Sequence, residues 1–234
     1  MSEPRTPEAA AQRLGMRSAG ILALAGTALT IVSTLLQQRM DIPRGDPLGV
    51  LAHIDARPWF AAALAGMLGM LCWGMAFTAA GRSLRDPAGR TLARLAEPVL
   101  LVAVAVFAVH YAHDGFSGGA LAAQWSSGER EPAAALADSR VIEALIGGTS
   151  ILSQTLIGLA LALYALAMLR GRQYPRVLSW VGLVGSAGWF LGGSALFLRL
   201  PGMSFEVLLP CTGLATVWVV GVGITLLRAR VPRR

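Results

Sequence analysis

Residues 140–169 read RVIEALIGGTSILSQTLIGLALALYALAML. After Glu143 no charge appears until Arg170. A spanning helix needs about 20 mostly apolar residues, and a water-exposed helix of this length would need a polar stripe along all of it. The stretch is therefore predicted to cross a membrane. Its few polar groups share one arc: Glu143, Gly147, Ser150 and Gln154 follow i, i+4, i+7, i+11, which keeps them on one face. At 1.5 Å per residue that stripe descends about 16 Å from Glu143 to Gln154.

Five further runs have the same character, at about 18–38, 59–81, 95–113, 177–198 and 205–227. The first carries an arginine-bearing leader, but Gln37, Gln38 and Arg39 follow it where a signal peptide would have a small-residue cleavage site. It counts as a helix. The expected fold is all-α and polytopic, a single six-helix bundle forming one domain over 1–234.

Composition agrees. Of 234 residues 55% are hydrophobic and 14% charged, with a mean hydropathy of +0.59, whereas a soluble domain carries roughly 25% charged residues. All 20 basic residues are arginine, which excludes a Schiff-base cofactor and a phosphate-loop lysine. Cys72 and Cys211 stand alone in apolar runs, so no zinc, haem-attachment or iron–sulfur spacing exists. They are expected at different depths and unbonded. No cofactor or metal is called for. The formal charge of +7 belongs to arginines flanking the runs, which points to membrane topology and away from nucleic acid.

Fourteen arginines fall on the side holding the N-terminus and six on the other. The positive-inside rule then places both termini in the cytoplasm, in a multi-pass protein of the cell's inner (plasma) membrane. Trp59 is expected as an interfacial anchor, Pro98 near a helix start, and 39–58 and 114–139 as long outer connections, the second re-entering helix from about Pro132. Gly182, Gly185, Gly188 and Gly192, and likewise Gly147 and Gly148, form small-residue stripes suited to close packing within the bundle.

Charged groups at membrane depth are costly and mark candidate sites. Nine of thirteen acids and all three histidines map to the outer side. The expected site is an outward-opening polar cavity. Its catalytic candidates are Glu143, Asp114 and His110. Its walls would include Gln154, Ser150, Thr34, Gln38, Tyr111, Trp125, Trp189 and Phe190. Plainer roles stand beside these: hydroxyls in membrane helices often bond backbone carbonyls, and Glu143 can sit above the headgroups.

His113-Asp114-Gly115-Phe116, Leu121-Ala122 and Trp125, followed later by Tyr174-Pro175-Arg176-Val177-Leu178-Ser179-Trp180-Val181-Gly182, resemble a family of small six-helix bacterial membrane proteins with a domain of unknown function. The resemblance spans roughly helices three to five. It implies the six-helix architecture and a fixed Asp-Gly corner, and it implies no activity. The size and outward acids are also similar to membrane-integral terpene cyclases, by architecture alone. Two functions stand. One is a membrane enzyme doing acid/base cyclisation or isomerisation on a lipophilic, isoprenoid-like molecule, with a buried acid as proton donor and aromatic faces steadying a cation. The other is a non-enzymatic binder of lipid or a partner, or a small transporter. Substrate and oligomeric state stay open.

Overall fold

The structure is a computed structural model that describes residues 7–43, 45–171 and 173–228. Arg5, Arg44, Arg172, Arg230, Arg233 and Arg234, and the side chain of Arg13, lie outside that description. The described residues form eight α-helices and no strand: α1 (Pro7–Gln37), α2 (Pro47–Asp55), α3 (Trp59–Arg82), α4 (Pro87–Tyr111), α5 (Gly118–Ser126), α6 (Pro132–Gly171), α7 (Arg176–Phe197) and α8 (Phe205–Arg228). A π-helical turn, Ala112–Ser117, joins α4 directly to α5. Six segments are long and apolar enough to cross a membrane: α1, α3, the α4–α5 unit, α6, α7 and α8. The chain is a multi-pass membrane protein.

The six spans pack as a ring in chain order, α1 on α3, α3 on α4, α4 on α6, α6 on α7, α7 on α8 and α8 back on α1. Small residues allow the close approaches. Gly26 of α1 and Gly69 of α3 face each other so nearly that a Cβ on either would meet the other's carbonyl oxygen within 2.8 Å. The α7 stripe packs on α8, with Gly182 against the Trp218 indole and Gly188 against the Cys211 thiol. Cys72 and Cys211 are both free. Aromatic rings fill the middle of the ring: Phe77 of α3 stands 5.0 Å from Trp218 of α8 and 5.4 Å from Tyr164 of α6, centroid to centroid.

At one end the helices carry Arg17, Arg82, Arg90, Arg94, Arg170, Arg176 and Arg228. There Tyr174, in the α6–α7 turn, is buried beside Ser83, and burial pushes its hydroxyl up to about 12. The opposite end bears a cap. With 40 residues, α6 is about 60 Å long, twice the roughly 30 Å hydrocarbon layer. Its N-terminal part rises beside α2 and α5, and the three enclose a second apolar core of Leu51, Ile54, Trp59, Leu121, Ala122 and Ala135.

Several expectations need correction. The 39–58 connection contains α2, and α4 begins at Pro87 instead of 95. One device explains both: Asp46 and Asp86 cap their helices by accepting from the Gly49 and Gly89 amides, at 3.0 and 2.6 Å, with proline as the first helical residue. Such caps satisfy a free amide where the proline ring already has helical φ. Pro98 consequently lies inside α4. Re-entry at Pro132 is as expected. Trp59 is no lipid-facing anchor; it is 2% exposed, under the cap. Gly147 and Gly148 face open space, so they serve no close helix contact.

Candidate functional site

Where the cap meets the ring, the chain buries a carboxylate. Asp114 lies on the π turn, 4% exposed. Its Oδ2 accepts from Arg39 Nη2 in a close ion pair and from Gln37 Nε2 at 3.4 Å. Arg39 Nε also donates to Gln37 Oε1, at 2.8 Å, so the three side chains close a triangle. Trp59 holds it from two sides: its indole Nε1 donates to the Asp114 carbonyl at 2.8 Å, and its ring lies 5.5 Å from the Arg39 guanidinium carbon, a cation–π distance. His53 of α2 completes the support. Its Nε2 lies 3.0 Å from the Gln37 carbonyl, which can only accept, so that nitrogen carries the hydrogen.

The local sequence explains the placement. α1 ends at Gln37, and Gln38 takes a left-handed backbone with φ of 45°. That reversal turns Gln37 and Arg39 towards Asp114 and swings Gln38 to the surface, where Arg57 grips its Oε1 at 2.6 and 3.1 Å. The π turn and the start of α5 press against α3 because Gly115 and Gly119 leave room for Ala63 and Phe60. Single π turns in long helices are frequent at functional positions.

His110 lies one turn before, 5% exposed, with Asp114 as an electrostatic neighbour. One side of the ring faces the Ile146 backbone on α6, while Nδ1 is buried without a hydrogen-bond partner. Tyr111, 5.2 Å from His110 by centroids, reaches Ser33 of α1 over Gly66 of α3. In the cap a groove of about 390 Å³ runs between α5 and α6, lined by Ser117, Ala120, Leu121, Gln124, Asp138, Val141 and Ile142. The lining ends at Ile142, one helical turn short of Ile146, and does not include His110 itself.

The structure thus groups Asp114, His110 and Tyr111. It adds Gln37, Arg39, His53 and Trp59, which the sequence reading passed over; their signal was the polar triplet ending α1 beside a buried Asp-Gly corner. Other expected members lie elsewhere. Glu143 is exposed, and the α6 face turned to His110 is that of Ile146. Gln154 accepts from Trp189 Nε1 at 2.6 Å, a separate α6–α7 contact about 12 Å further along the helix. Ser150 is half-buried, and Phe190 lends its backbone to the packing of Gly158. Thr34 is exposed and bonds the Thr30 carbonyl. Trp125 packs on the cap core. At the arginine end, Glu97 pairs with Arg82 at 2.7 Å. Among the described residues no three metal-ligating side chains converge.

No curated protein and no solved structure matches the chain, so the likeness to terpene cyclases gains no support. A family model does match, over residues 18–229 and hence all six spans. The chain belongs to the family described as domain of unknown function DUF4386.

Proposed function

We propose that this protein binds a lipophilic small molecule with one polar end, taken from the outer leaflet of the plasma membrane. The arginine bias sets the cap on the outer side. The ligand's apolar body lies along Leu121, Val141 and Ile142, and its polar end meets His110. One observation carries the reading: His110 Nδ1 is buried and unpaired, and an open groove of the cap ends at Ile142, one turn of α6 from the Ile146 backbone that faces His110. An unpaired buried polar group costs about 1–3 kcal/mol, a cost that a ligand hydroxyl would offset.

A second reading is acid/base chemistry on the same molecule, such as isomerisation of an isoprenoid-like compound. It is favoured by a ring nitrogen without a partner beside a carboxylate. In that reading His110 exchanges the proton and Asp114, fixed by Arg39, orients charge. Asp114 is used as an acceptor from two donors, which disfavours it as the proton donor of a cyclisation. Glu143 stands outside the cluster.

Native mass spectrometry of the purified full chain, with extraction of bound compounds, tests the binding. The wild type should retain one lipophile per chain. Ala120→Trp, which fills the groove, should lose it, and His110→Phe should weaken retention about tenfold, the worth of one buried hydrogen bond. Equal retention by all three proteins would overturn the proposal. Deuterium exchange into the bound compound, lost in His110→Phe, would mark the enzyme.

A further inference from the structure

The arginine end holds a second cleft, independent of the cap site. It lies between α3, α4 and α6, has a volume of about 240 Å³, and is lined by Thr78, Arg82, Arg90, Arg94, Glu97 and Tyr164. Arg82 is paired with Glu97 at 2.7 Å. Arg90 and Arg94 have no ion-pair partner among the described residues, so the cleft carries a net positive charge.

Helix stability does not account for this arrangement. Arg90 and Arg94 stand at i and i+4 on α4, where like charges repel. Arg90 also stands at the end of the first turn of α4, where the dipole favours acids and disfavours cations. Thr78 is the odd one among the threonines. The nine other described threonines, all helical, each donate to a backbone carbonyl three or four residues back. The Thr78 hydroxyl is buried, faces the Tyr164 side chain and bonds no backbone carbonyl. An anion in the cleft would relieve the repulsion and could accept from the Thr78 hydroxyl, which no backbone carbonyl holds.

We infer that this cleft binds a phosphate group, that of an anionic phospholipid in the leaflet at the arginine end. The arginines supply charge and forked donors that match phosphate oxygens. Thr78, further along α3 towards the apolar segment, supplies a neutral donor. Basic pockets between spanning helices at this boundary are suited to lipid phosphates. The site lies at the opposite end of the helices from the His110 groove and stands or falls separately.

The test titrates delipidated full chain with dioleoyl-phosphatidylglycerol, dioleoyl-phosphatidylcholine or inorganic phosphate, with native mass spectrometry as readout. One phosphatidylglycerol should be held in preference to phosphatidylcholine. The Arg90→Gln/Arg94→Gln pair should reduce that binding about tenfold or more through loss of charge-assisted contacts. Thr78→Val should reduce it about threefold, a neutral hydrogen bond being the weaker. Arg85→Gln and Arg176→Gln, at the same end but outside the cleft, should leave it unchanged. Equal loss in those controls, or no preference between the lipids, overturns the site. Displacement of phosphatidylglycerol by micromolar inorganic phosphate overturns the lipid assignment in favour of free phosphate.

Discussion

Arg39→Ala should destabilise the fold more than any other single loss of charge at the cap junction. Asp114 would stay buried with only the long 3.4 Å contact from Gln37. Removing one partner of a buried pair costs about 3–5 kcal/mol. The Arg39 side chain is 33% exposed, and solvent screening brings the expected loss to about 2–3 kcal/mol. The opposite change is gentler. Asp114→Asn leaves a guanidinium that water can reach and an amide oxygen to accept from it. The double variant Arg39→Ala/Asp114→Asn buries no charge and should recover most of the loss. Denaturant unfolding in detergent micelles, compared across the three variants and the wild type, reads this order. Equal losses in Arg39→Ala and the double variant would show that the ion pair contributes nothing of its own.

Gly115→Ala should be similarly damaging, by packing alone. A Cβ at Gly115 would fall 2.2 Å from the Ala63 Cβ, with the Ala63 Cα at 3.7 Å. No flexible side-chain end can yield, so the π turn itself would have to back away from α3. Overpacking of this kind costs about 1–3 kcal/mol, with the upper part expected because retreat would also stretch the Trp59–Asp114 hydrogen bond. The repair is specific: Ala63→Gly in the same chain should restore stability, since it removes the atom that clashes. Unfolding of Gly115→Ala, Ala63→Gly and the double variant checks it. A double variant no better than Gly115→Ala would place the cause elsewhere.

The six spans were legible because hydropathy acts over whole helices, and no local feature competes with 26 uncharged residues between Glu143 and Arg170. Short elements were not. The Asp-Pro-x-Gly segments at 46–49 and 86–89 carry the capping chemistry, but an apolar-run reading passes over them. The site was half legible. Asp114 and His110 stood out as ionisable groups close to an apolar run. Gln37 and Arg39 did not, because helical periodicity pointed to Gln38, and a single left-handed residue exchanges which glutamine is buried. Glu143 shows the converse limit. Its stripe is regular, but which face of α6 meets the ring at that height depends on the cap, whose existence the apolar runs do not announce.

A cryo-electron microscopy map of the full chain in lipid nanodiscs tests the account's central claim most directly. The groove between α5 and α6 should contain elongated density beside Leu121 and Ile142, with its polar end within hydrogen-bonding distance of His110 Nδ1. The contradicting result is a groove closed by its own side chains, with that nitrogen bonded inside the protein.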